Sequence, residues 1–162
     1  MPVYSIAGSK FELGAATATK PADFVAADFT TPMTAAAVVG EPETLGSMSD
    51  PWEGEDFTNV TDGRTRVVKT IKKGSTVDLT FGIDPTDAGQ IAMRAAYAAT
   101  GNYSMRLTLA DKPAAGASPK SSTRTFVGLV MNVEDDPSGK IGKVKFTLQI
   151  NSNILITHAS AT

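Results

Sequence analysis

The chain contains no cysteine, a single histidine and a single tryptophan, and aromatic residues make up only 7% of it. Without cysteine there is no disulfide framework, no thiolate metal site and no cysteine nucleophile. The one histidine, His158, lies in the last few residues, and neither a catalytic triad nor a histidine metal cluster can be built from it alone. No GxGxxG opens a helix and no GxxxxGK[ST] occurs, so nucleotide phosphates have no visible cradle. The few aromatics are not interleaved with basic residues as a base-stacking surface requires. Neither a leader of the basic-then-apolar kind nor a run of membrane-spanning length is present, which makes cytoplasmic synthesis the default expectation. These absences point away from an enzyme and toward a chain with no cofactor and no metal.

Charge of one sign is also lacking. The net charge is -2 and the sequence pI about 5.3, so no global basic field draws the monomer onto nucleic acid or anionic lipid. What is present is an ordinary globular composition, with 41% apolar and 20% charged residues in 162. A chain of that size buries a sufficient core as one domain, expected to span 1–162.

The local patterns divide that domain. Lys10–Leu13 and Asp23–Phe29 are strand-like, and Ala35–Val39 is read as a strand although so short an apolar run also fits a helical turn. From Glu41 to Gly63 the chain carries seven acids and no Lys or Arg. Gly46, Pro51, Gly54 and Gly63 interrupt any regular period there, which predicts a long acidic surface loop or hairpin tip. The sign then reverses, with Arg64, Arg66, Lys69, Lys72 and Lys73 and no acid over 64–73. Val67, Ile71, Val77, Leu79, Phe81 and Ile83 alternate on either side of Lys73-Gly74-Ser75, predicting two antiparallel strands joined by a short turn.

Asp84-Pro85-Thr86-Asp87 is a helix-start signal, and small residues at helical spacing predict a helix over 87–100 that lies close against a sheet. Tyr103–Leu109 alternates as a half-buried strand. Arg124–Val133 and Ile141–Ile150 form another strand pair around an acidic turn, and 152–162 is expected to be a C-terminal tail. Strands, one helix, then strands indicate an α+β, mainly β domain with antiparallel sheets.

Two features bear on function. The acids at Asp50–Asp62 lack the alternating ligands, central glycine and terminal glutamate of a calcium loop, so solvation or protein contact is favoured over metal binding. The acidic segment and the basic one after it are expected at opposite ends of an extended arm. Either both are simply solvated, or the acidic part of one copy reaches the basic part of another in a head-to-tail contact, which gives rings or filaments. Trp52 and Phe57, in an otherwise polar segment, are either interface anchors or side chains tucked against their own domain. The candidate contact set is therefore Trp52, Glu53, Glu55, Asp56, Phe57, Arg64, Arg66 and Lys69.

Over roughly 41–151 the chain resembles the tail tube (major tail) proteins of long-tailed bacteriophages. The resemblance is carried by Glu43-Thr44-Leu45-Gly46, the strands from Arg66 to Phe81, and Asp84-Pro85-Thr86-Asp87-Ala88-Gly89-Gln90. It continues through Tyr103-Ser104-Met105-Arg106-Leu107-Thr108-Leu109, Phe126-Val127-Gly128-Leu129-Val130 and Lys143–Ile150. It implies an antiparallel β-sandwich or barrel-like fold with one flanking helix, and hexameric rings that stack into a hollow tube in the virion tail, assembled in the host cytoplasm. It further implies a tape-measure protein and tail initiator and terminator proteins as partners, DNA passing through the lumen, and no membrane insertion. On this resemblance Ser47–Gly63 becomes a ring-stacking loop. DNA must slide rather than bind, so a polar or acidic lumen is expected, with most of Arg64–Lys73 engaged between subunits. A tube of a contractile tail or secretion-system relative fits nearly as well, and a monomeric β-rich binding module less well because of the low aromatic content.

Overall fold

The computed structural model describes residues 3–162. Ten strands are present among them: β1 (Lys10–Ala16), β2 (Ala37–Val39), β3 (Pro42–Thr44), β4 (Trp52–Asn59), β5 (Arg64–Lys72), β6 (Thr76–Gly82), β7 (Tyr103–Thr108), β8 (Thr123–Asp136), β9 (Lys143–Ile150) and β10 (Leu155–Thr157). One α-helix, α1 (Ala88–Ala98), and one 3-10 turn, Ala26–Phe29, accompany them.

Period-two alternation builds the body of the protein. In β9, Val144, Phe146, Leu148 and Ile150 turn inward while the residues between them face out, and in β6 Val77, Leu79 and Phe81 do the same. Together with Phe11, Met105 and Phe126 they form one continuous core, in which each fully buried Phe or Leu contributes about 1.5–3 kcal/mol. Eight strands pair antiparallel in the order β2-β1-β7-β8-β9-β6-β3, with β10 also on β8. The two outermost strands, β2 and β3, are separated by only Gly40 and Glu41. Two edges so tied cannot lie far apart, so the sheet is rolled around its core until its ends meet.

The long strand β8 serves both halves of the roll. Thr123–Gly128 pairs with β7, and from Gly128 onward, through a bulge near Val130, the strand pairs with β9. Beyond Gly128 the helix takes the place of β7, and Arg94 makes two hydrogen bonds to the Asp135 carboxylate at 3.1 and 2.5 Å. On its other side Gly89 lets the helix lie close against β2, because a Cβ there would stand 2.2 Å from the Val38 carbonyl oxygen. At the seam, the Asp87 carboxylate accepts from the Gln90 backbone N–H at 2.8 Å as helix cap and from the Gly40 N–H at 3.1 Å. The buried Gln90 amide donates to the carbonyls of Gly82 and Gly40 at 2.7 and 3.3 Å and accepts from the Asp84 N–H at 3.1 Å. One side chain thus satisfies backbone groups that the ladder leaves open.

The expected α+β, mainly β architecture and the single helix are present, but several local expectations are overturned. Asp23–Phe29 is not a strand. The Asp28 carboxylate accepts from the Val25 N–H at 2.8 Å and from Lys20 at 2.5 Å, holding a turn. This turn packs Phe24, Phe29 and Met33 on Val127, covering the outer face of the β1-β7-β8 half. Residues 152–162, the expected C-terminal tail, lie along the sheet, where β10 pairs with β8 and Ser160 bridges to Lys120. The acidic 41–63 segment, expected as a long loop or a hairpin tip, contains β3 and β4, and its last part is one strand and the turn of a hairpin with β5. Finally, β5 and β6 do not pair with each other. β5 pairs with β4, whereas β6 pairs with β9 and β3. Alternation identifies a strand without naming its partner, and Gly74 lies flat against Ile150 instead of forming a tight turn.

Candidate self-assembly surface

Strands β4 and β5 form a two-stranded ribbon separate from the main sheet. Its root is closed where the Lys73 N–H donates to the Pro51 carbonyl at 3.2 Å, and its tip is the Gly63 turn in a left-handed conformation. Every residue from Trp52 to Lys72 is exposed apart from the half-buried Asn59. All eight expected contact residues lie on this ribbon. Trp52, Glu53, Glu55, Asp56 and Phe57 are on β4, and Arg64, Arg66 and Lys69 on β5.

The two charge runs are not at opposite ends of an arm, as expected, but side by side along it. Glu55 faces Val68, Asp56 faces Val67 and Phe57 faces Arg66. The opposite signs are partly compensated within the chain. Arg66 pairs with Asp62, Lys72 stands 3.5 Å from Asp50, and the Lys72 and Lys69 ammonium groups lie 5.1 and 5.9 Å from the centre of the Trp52 ring.

Apolar side chains on this ribbon find no core. Trp52 is 49% exposed, Phe57 59% and Val67 72%. Val60 and Val68 are exposed with them and were not singled out from the sequence, and Ile71 is exposed as well. Val67 and Ile71 alternate as core-facing residues do, so their pattern read as burial within the subunit. An isolated hairpin is marginally stable in water, and exposed apolar groups on an extended strand pair mark a surface built for contact.

A second surface of note is the outer face of the β8-β9-β6 half, which among the described residues has no counterpart of the 3-10 turn that packs on the opposite half. Cross-strand partners share a face, so Glu134 and Thr80 flank Lys145, and Asp136 flanks Lys143. Lys145 lies 3.4 Å from Asp78, and Lys143 donates to Glu43 at 2.7 Å. Asp78 also accepts from the Thr147 hydroxyl at 2.9 Å. The face carries four acids to two lysines, and both lysines are paired.

Among the described residues no group of three or more His, Cys, Asp or Glu is placed to hold a metal, and no helix is long and apolar enough to cross a membrane. His158 is exposed.

No family model matches the chain, and no curated protein matches it. Solved structures do share its fold. The SPP1 tail tube superposes with a TM-score of 0.64 at 15% identity, over 95% of this chain and 80% of that one. A chain from the sheath/tube terminator structure of the extracellular contractile injection system PVC gives 0.65 at 8% identity, over 97% and 98% of the two chains. A chain from the baseplate of the anti-feeding prophage gives 0.62 at 9%, over 98% of each. The fold is thus the tail tube fold, shared by a phage tail tube and by phage-like injection machines. The exposed ribbon is carried on that frame.

Proposed function

We propose that this chain is a structural tail tube protein that self-assembles into stacked hexameric rings forming the hollow tail of a bacteriophage, through which DNA is delivered. The observation that carries this reading is an exposed ribbon, separate from the main sheet, with apolar and oppositely charged side chains on a tube fold. A ribbon of that kind is explained by neighbours of the same chain, and a head-to-tail contact repeated around a ring and between rings builds a tube. Trp52, Glu53, Glu55, Asp56, Phe57, Arg64, Arg66 and Lys69 are its contact residues. No catalytic step is assigned to them.

The partners of such a tube are a tape-measure protein and the tail initiator and terminator, with the virion tail as its location and the host cytoplasm as its place of assembly. The outer face of β8-β9-β6 suits the channel, because paired lysines and surplus acids offer a polyanion little to bind. A second reading, the tube of a contractile tail or injection system, is favoured by likenesses that span nearly the full length of both chains.

Negative-stain microscopy of the purified chain over a range of salt and concentration tests the reading, with rings or tubes as the expected result. Charge reversal at Arg64→Glu with Arg66→Glu is expected to abolish them. Tubes that form normally with both reversals would overturn the ribbon's role.

A further inference from the structure

The ribbon has two faces, and neither is the back of anything. Its register places Phe57 opposite Arg66 and Glu55 opposite Val68 on one side. The residues between them, Asp56 with Val67 and Thr58 with Thr65, point to the other side. Trp52 belongs to this second side, since Lys69 and Lys72 both approach its ring, and the Val67 side chain on that side fills the space that a side chain at Gly54 would need. A partner lying on one face alone would leave either Phe57 and Val68 or Trp52 and Val67 in water.

We propose that the ribbon is inserted between two other copies of this chain at once, the Phe57 face against one and the Trp52 face against the other. This rests on the self-assembly reading above and deepens it. The occupant is argued from charge. Between Trp52 and Lys72 the ribbon holds four acids and four bases and so has no net charge. One edge strand, β4, bears Glu53, Glu55 and Asp56 and no base, and the other, β5, bears only bases. A surface that is acidic along one edge and basic along the other is complementary to itself when copies meet head to tail. A partner with charge of one sign would attract one strand and repel the other. Burial on both faces also resolves the marginal stability of a lone two-stranded ribbon, which gains a hydrophobic environment only in the assembly.

The natural absence of cysteine makes the test direct, because one introduced thiol is the only thiol. Val67→Cys and Val68→Cys place a small side chain at adjacent positions on opposite faces, both exposed in the subunit. Each variant is mixed as a minority component with the unaltered chain, so that tubes form whether or not the variant assembles alone. Maleimide labelling rates are then compared for subunit and tube. Both rates are expected to fall by about tenfold or more on assembly. A thiol on either face that reacts in tubes as fast as in the subunit would overturn the two-sided insertion while leaving self-assembly intact. If the unaltered chain forms no particle under any condition, the self-assembly reading fails, and this inference fails with it.

Discussion

Gln90 closes the seam where the two ends of the rolled sheet meet, with three backbone partners and almost no exposure to water. Gln90→Leu keeps the volume and strands an N–H and two carbonyls, each costing about 1–3 kcal/mol when buried without a partner. A loss of about 3 kcal/mol is expected, which for a domain of this size lowers Tm by roughly 6–12 °C in a thermal melt. Arg94 and Asp135 show the opposite case, an exposed pair. The Arg94 hydrogen bonds hold the Asp135 carboxyl below its ordinary value, with the attraction of the guanidinium charge adding to the effect. A carboxylate whose pKa is lowered by folding stabilises the protein above its unfolded pKa, about 3.9, and ceases to as pH falls through the folded value. Asp135→Asn is therefore expected to cost a constant amount at neutral pH, about 0.2–1 kcal/mol for so exposed a pair. The difference from the unaltered chain should vanish in acid, as urea unfolding at a series of pH values would show.

At the level of elements, the body and the ribbon obey different rules. β6, β7, β9 and α1 were legible in the sequence because each buries one face, so burial writes a period of 2 or 3.6 into the residues. The ribbon has no buried face within the subunit, so β4 carries charge and glycine instead of an apolar alternation and reads as a loop or hairpin tip. β5 does carry an apolar alternation, but it belongs to contacts outside the subunit and was assigned to the wrong partner. The contact residues themselves were visible as an abrupt change of sign at Gly63–Arg64. Their arrangement side by side was not, because it depends on the register of β4 with β5. If the ribbon is independent of the core, its substitutions should separate stability from assembly. Phe57→Ser with Val68→Ser is expected to leave the Tm of the subunit within about 1 °C, since no core contact is lost, while preventing tube formation. The amide protons of β4 and β5 should exchange with solvent far faster than those of β9 in the subunit and become protected in tubes. A subunit that unfolds when the ribbon is altered would mean that the ribbon belongs to the fold and not to the contact.

For the whole molecule, the rolled sheet leaves one outer face whose charged side chains are about half exposed, and its chemistry limits what can pass along it. Duplex DNA is held by lysines and arginines that displace its counterions. On the outer face of β8-β9-β6, Lys143 and Lys145 are each paired to a carboxylate, Glu43 and Asp78, and Glu134 and Asp136 stand beside them in the neighbouring strand. Every cation there is already answered, and the surplus is acidic. If this face lines the channel, Glu43→Gln with Asp78→Asn removes two negative charges, takes from each lysine the carboxylate it is paired with and leaves the fold alone, since neither acid is buried. Tubes of the double variant are then expected to retain duplex DNA at about 50 mM salt and to release it as salt rises, whereas unaltered tubes retain none. Co-sedimentation of DNA with purified tubes measures this. A double variant that stays as inert toward DNA as the unaltered tube would place this face away from the channel, and would leave the core-facing alternation of β6 and β9 explained but the acidic excess on their other side without a role.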